Sequence, residues 1–185
     1  MDDQQIKGGH ELLDPANILQ NILQIPDGAT VADLGVGSMA FFTLQSAKLV
    51  GNKGVVYACD IMKDVLNSME SKAKMAGLNN IKSVWTNLEV YGATKIPVPV
   101  DYAVLVNTLF QTTKRQEVLR EANRLLKPGG KLLIIEWRAS SGPIGPDAKR
   151  RLAENEAESL ATAAGFKKIS NFIAGPSHYG LIFEK

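Results

Sequence analysis

One cysteine, two histidines and no long apolar run leave this chain of 185 residues short of what several function classes depend on. Cys59 alone excludes a disulfide framework and a cysteine-based zinc site, and no metal site is assigned. It lies in a buried-type strand, where it reads as a small hydrophobe rather than a nucleophile. No apolar run approaches the roughly 20 residues of a membrane span. The opening Met1-Asp2-Asp3-Gln4-Gln5 is acidic and polar, unlike a targeting segment, so the cytoplasm is the expected compartment. Charge is nearly balanced, with 21 basic against 19 acidic side chains and a net +2, which gives no strong footprint for nucleic acid. There is no internal repeat and no low-complexity stretch.

What is present is a core. Apolar residues make up 45% of the chain, enough for one α/β domain and too few for two. Residues 1–13 read as a flexible N-terminal segment with a joint at Gly8-Gly9, and residues 14–185 as a single domain. Asp14 and Pro15 open a helix whose Ile18, Leu19, Ile22 and Leu23 share one face.

The domain is organised around Thr30 to Asp60. An apolar strand, Val31-Ala32-Asp33-Leu34, runs into the glycines Gly35 and Gly37. A helical pattern follows to Gly51, and a second buried-type strand, Val55 to Cys59, ends on Asp60. Strand, glycine turn, helix, strand and terminal acid make a nucleotide-binding βαβ unit. Glycines let a ligand approach the backbone where a Cβ would collide. A carboxylate at the second strand's end can accept from both hydroxyls of an adenosine ribose. Gly35-Val36-Gly37-Ser38-Met39-Ala40 also satisfies the dinucleotide fingerprint, so the glycines alone do not choose the cofactor. Asp33 does. A carboxylate two residues before the first glycine repels a pyrophosphate and welcomes a cation. S-adenosylmethionine carries an ammonium, a sulfonium and no phosphate.

Val31 to Gly37 resembles the first motif of the class I S-adenosylmethionine-dependent methyltransferases, and Tyr57 to Ile61 resembles the second. Leu126 to Ile134 is similar to the turn and strand near the end of that domain. The flavour is that of the ubiquinone/menaquinone biosynthesis methyltransferases. The resemblance implies a three-layer Rossmann-like α/β fold with a seven-stranded, mostly parallel sheet. Its order would be 3-2-1-4-5-7-6, the last strand antiparallel, with helices on both faces. It implies S-adenosylmethionine as cofactor and S-adenosylhomocysteine as product. Asp33 would face the ammonium, Gly35 and Gly37 line the methionine part, Asp60 hold the ribose and Ile61 pack on adenine. Asn87, where the family commonly has aspartate, would read the adenine edge with Leu88, its carbonyl accepting from the amino group while its amide donates to the ring. Asn107 would bring its backbone carbonyl or amide near the methyl.

Further along, helices are expected over Lys63–Ala76 and Lys114–Leu126, and a charged one over Ala148–Ala164 after a Ser/Gly/Pro-rich loop. Strands are expected over Ile81–Trp85, Asp101–Val106 and Lys131–Glu136. A final pair, Lys167–Ile173 and Tyr179–Glu184, would be joined by a loop holding His178. Trp137 and His178 are candidate acceptor-binding residues, Trp137 being equally readable as core. No catalytic residue stands out. His178 and His10 are the candidates for a base, a structural or solvated histidine being the expected reading of each. Met39, standing where a third glycine often falls, should point away from the methionine tail or cap the acceptor side.

The expected function is methyl transfer to a small-molecule acceptor of undetermined identity. A nicotinamide oxidoreductase and a non-catalytic, cofactor-binding partner subunit are the alternatives. Oligomeric state is not legible.

Overall fold

In strand β1 (Thr30–Leu34), Val31, Ala32 and Leu34 have no exposed surface, as burial on both faces of a sheet demands. β1 pairs in parallel with β2 (Val55–Asp60) on one side and β4 (Val100–Val106) on the other. Outside β2 lies β3 (Ile81–Trp85). Outside β4 come β5 (Leu126–Trp137), β7 (His178–Glu184) and β6 (Lys167–Gly175), giving the order 3-2-1-4-5-7-6. β7 is antiparallel to both of its neighbours. This is the expected sheet. The computed structural model describes residues 13–139 and 144–185, so the Gly8-Gly9 joint, His10 and part of the Ser/Gly/Pro loop lie outside the described residues.

Alternation along the strands sends side chains to two cores. Val31, Val56, Val104, Leu133 and Ile182 face Ile18, Leu19 and Leu23 of the N-terminal helix and Phe42, Ala47 and Val50 of α2 (Phe41–Val50). That N-terminal helix is α1 (Pro15–Asn17), capped by Asp14 Oδ1 at 3.0 Å from Asn17 N and continued by a π turn over Ile18–Ile22. α3 (Lys63–Met75) packs Leu66, Met69 and Ala73 beside them, against Ala58. The opposite face carries α4 (Arg115–Leu125) and α5 (Glu154–Ala163), whose Val118, Leu119, Ala122, Ala157 and Ala161 bury Ala103, Leu105, Leu132 and Ile134. Among the described residues, no helix is long and apolar enough to cross a membrane.

Three segments depart from the expected pattern. β5 begins at Leu126 rather than Lys131, because Gly129 N and Gly130 O both bond to the main chain of Lys185 at 3.0 Å and hold Pro128-Gly129-Gly130 extended. The charged helix expected over 148–164 is a short 3-10 turn, Ala148–Arg150, followed by α5. Between them Arg151 turns inward to 9% exposure and donates to the carbonyls of Pro146, Arg138 and Ile144. The final hairpin is tighter than expected: Gly175 pairs with His178, so His178 starts β7 and the turn is Pro176-Ser177.

The 86–99 link between β3 and β4 contains no helix. Glu121, fully buried on α4, holds it by accepting from Gly92 N (2.8 Å) and Thr94 N (2.9 Å) while pairing with Arg124. Burial alone raises such a carboxyl, but the hydrogen bonds from Arg124, Gly92 and Thr94 win and hold it at about 2.

Candidate active site

The carboxyl ends of β1, β2 and β4 open into a cavity of about 610 Å³, the place where open α/β sheets bind ligands. Asp33, Gly35, Gly37, Asp60, Ile61, Asn87, Leu88 and Asn107 all line it. Both glycines have positive φ, 104° at Gly35 and 68° at Gly37, which a side chain would strain. They differ in surroundings. A Cβ at Gly37 would meet nothing, whereas one at Gly35 would collide with Thr108 Oγ1.

Asp33 is 2% exposed, and its Oδ2 accepts from Thr43 Oγ1 of α2 at 2.5 Å. Burial pushes its carboxyl up to about 7; the Thr43 hydrogen bond opposes the shift, and the nearby Asp60 charge adds to it. Among the described residues, no cation pairs with this buried acid, so a cationic ligand at the cavity wall would be drawn to it. Asp60, 9% exposed, accepts from Met62 N at 2.9 Å through Oδ1. Its other oxygen has no hydrogen bond among the described residues and can take a hydroxyl. Beside it Ile61 is 56% exposed, and its carbonyl is fixed by Trp85 Nε1 at 2.8 Å.

Residues 10–148 match the model of the ubiE/COQ5 methyltransferase family. The chain belongs to that family. Ubiquinone/menaquinone biosynthesis C-methyltransferase UbiE of Vibrio vulnificus is 34% identical over 114 residues, which are 60% of this chain and 42% of that protein. The chain thus matches less than half the length of these curated relatives. A SAM dependent methyltransferase from Aquifex aeolicus superposes with a TM-score of 0.85 at 28% identity, covering 95% of this chain and 91% of that one. N-methyltransferase NodS from Bradyrhizobium japonicum, solved with S-adenosyl-l-homocysteine, shares the fold at a TM-score of 0.70 and 14% identity, over 92% of this chain and 85% of its own. Family and fold are those of S-adenosylmethionine-dependent methyltransferases, and the nicotinamide alternative falls with them.

Within this family member, three of the expected cavity residues also hold contacts inside the protein. Asn87 Oδ1 already accepts from Glu89 N at 2.9 Å, so its carbonyl is committed to a local turn and its amide N–H₂ is the group left for a ligand. Leu88 is 8% exposed; it lines the cavity and packs at the same time into the core on the α4 face. Asn107 has a φ of 53°; its main-chain N–H donates to Ile135 O at 2.8 Å and its main-chain carbonyl accepts from Gln111 Nε2 at 2.6 Å. Both backbone groups already have a partner within the protein, and the carbonyl keeps a second lone pair.

Trp137 and His178 do not line the cavity. His178 is 1% exposed and stands behind Asn107, its Nε2 3.2 Å from Asn107 Nδ2. Trp137 covers it, ring centroids 4.1 Å apart, with the Arg151 guanidinium 6.0 Å from the indole centroid. Burial, and then the Arg151 charge, push the His178 ring down to about 4, so it is neutral near pH 7. It can fix Asn107 but does not reach the cavity. Met39 does line the wall, 53% exposed. Cys59 is fully buried and burial pushes its thiol up, in keeping with a small hydrophobe.

Sequence reading missed Thr43 and Thr108, and placed Glu136 with Trp137 at the end of strand five, pointing toward the crevice, whereas Glu136 does not line the cavity. Glu136 had a signal: a lone acid at the end of the apolar run Leu132 to Ile135. It is fully buried, and burial raises its carboxyl to about 7 against the hydrogen bonds it accepts from Leu109 and Phe110. Among the described residues, no cluster of His, Cys, Asp and Glu could hold a metal ion.

Proposed function

We propose that residues 14–185 act as one domain that transfers a methyl group from S-adenosylmethionine to a small-molecule acceptor, in the cytoplasm. The observation that carries this reading is the pair of acids on one cavity, Asp33 buried without a cation and Asp60 with an oxygen to spare. Asp33 answers the ligand's positive charge, and Asp60 takes the ribose hydroxyls. Gly35 and Gly37 let the methionine part lie on the backbone, while Ile61 and the Asn87 amide flank adenine. When bound, the cofactor supplies a methyl activated by its sulfonium. The chain's contribution is then to hold the acceptor in line and exclude water, which supplies roughly 7–11 kcal/mol in favourable cases. Leu13, Met39, Phe41 and Phe42 give an apolar wall, and Asn107, Gln111 and Thr112 add polar atoms for orientation.

Calorimetry should show S-adenosylmethionine and S-adenosylhomocysteine binding, with no heat from NAD or NADP. A panel of small hydroxyl, amine and activated-carbon compounds, followed by S-adenosylhomocysteine release, identifies the acceptor. NAD binding without an adenosylmethionine signal would overturn the assignment. Methylation confined to RNA or protein would overturn the acceptor class alone.

A further inference from the structure

Glu136 is the one acid in β5 and has no exposed surface. Burying a carboxyl is expensive, and a strand that needed only packing would carry another aliphatic residue, as Leu132 to Ile135 do. Its Oε1 accepts from Leu109 N at 2.6 Å and Phe110 N at 3.3 Å. These N–H groups open the short turn Leu109–Gln111, whose internal bonding starts only with Gln111 N to Thr108 O. The carboxylate therefore satisfies donors that the turn leaves free.

The same segment forms a wall of the cavity through Asn107, Thr108, Gln111 and Thr112. A further attachment, besides Asn107 N–H to Ile135 O and Arg115 Nε to Leu109 O, is Thr108, whose Oγ1 donates to Leu34 O at 3.1 Å and rests against the bare α-carbon of Gly35. One end of the segment is thus seated on the glycine turn and the middle is held from β5. Asn107, left-handed at a φ of 53°, needs such external support to persist.

We propose that Glu136 is a positioning residue for methyl transfer: its carboxylate mounts residues 107–112 on the sheet, in register with the glycine turn, so that acceptor and methyl meet in line. It touches neither ligand and acts through the backbone of Leu109 and Phe110. The assignment of that wall to the acceptor rests on the methyltransferase reading; the mounting itself does not.

The test compares amide hydrogen exchange at Leu109 and Phe110 with S-adenosylhomocysteine affinity and with turnover on whichever panel acceptor is methylated. In Glu136→Ala, exchange at both amides should quicken by at least about tenfold, the size of a lost buried hydrogen bond. Cofactor affinity should stay within about threefold, and kcat should fall by about tenfold or more with KM for the cofactor unchanged. Glu136→Gln keeps one acceptor oxygen at full reach and should restore exchange and kcat to within about threefold of the wild type. Should the alanine variant fail to fold, Glu136→Asp, shorter by one methylene, should show the same local loss. Unchanged protection in the alanine or aspartate variant overturns the proposal. So does a loss of cofactor affinity in step with the exchange, which would make Glu136 a support of the whole fold. A wild type that binds no S-adenosylhomocysteine defeats the methyltransferase reading instead, and the exchange data still decide whether Glu136 holds the segment.

Discussion

Asp60→Ala should weaken S-adenosylhomocysteine binding by between about tenfold and hundredfold while the protein stays folded. Asp60 ends β2 at 9% exposure, with Oδ1 bound to Met62 N at 2.9 Å. One carboxylate oxygen is therefore free for a ribose hydroxyl, and the other must be shared with the start of α3. A hydrogen bond to a charged group contributes about 1.5–3 kcal/mol, so one full bond and one shared bond give a loss in that range. The Met62 bond closes the turn that leads into α3, and losing it should cost about 1 kcal/mol of stability. Calorimetry with a parallel thermal melt separates the two effects. An unchanged affinity in the folded variant would mean that the ribose is held elsewhere.

The second large effect is a dependence of cofactor affinity on pH set by Asp33. Burial holds this carboxyl at about 7 in the free protein, so its protonated form dominates below that value. A bound cation favours the ionised form, and binding below pH 7 must therefore expel a proton. The sign follows: affinity falls as pH drops and flattens above about 7. With a carboxyl titrating near 7, ionisation drops from one half at pH 7 to about one hundredth at pH 5. S-adenosylmethionine should accordingly bind about fiftyfold more weakly at pH 5. Glu136 titrates in the same region and His178 below it, but neither lines the cavity, so Asp33→Asn should flatten the profile. A wild-type affinity that does not change between pH 5 and pH 7 would remove Asp33 from the cation's surroundings.

For the free protein the same group works in the opposite sense on stability. A raised acid contributes stability below the unfolded value near 4 and loses it as pH climbs through about 7, and Glu136 adds to this trend. His178, whose ring is lowered to about 4, runs against it up to its unfolded value near 6.5. Cofactor binding should offset the Asp33 share alone.

Legibility in the sequence followed the range of the interactions. β1, the glycine turn, α2 and β2 were readable because alternation, glycine and the terminal acid are local signals. The residues they placed on the cavity, Asp33, Gly35, Gly37, Asp60 and Ile61, do line it. The strand order came from resemblance, since no local pattern says that β7 enters between β5 and β6. The helix expected over 148–164 starts late, at Glu154, for a tertiary reason: Arg151 is drawn inward by three carbonyls, two of them in the preceding loop. Trp137 and His178 looked like acceptor contacts because they stand at strand ends near the cleft. Their pairing across β5 and β7 instead packs them together beneath Arg151. Asn107 was chosen for its position, but the partners that occupy its backbone lie in β5 and at Gln111.

The late insertion of β7 has a consequence for how the chain is made. β5 spans Leu126–Trp137, but the strand that covers its outer edge is His178–Glu184. During synthesis from the N-terminus, β5 can dock on β4 while its other edge, flanked by the fully buried Leu132 to Ile135, still waits for some forty further residues. Until the hairpin emerges, that edge is an open template for pairing with another nascent chain. Production of this protein should therefore be sensitive to premature termination after β5: fragments that stop there would keep the βαβ unit and the glycine turn, yet carry an apolar strand with one side exposed and collect as aggregate.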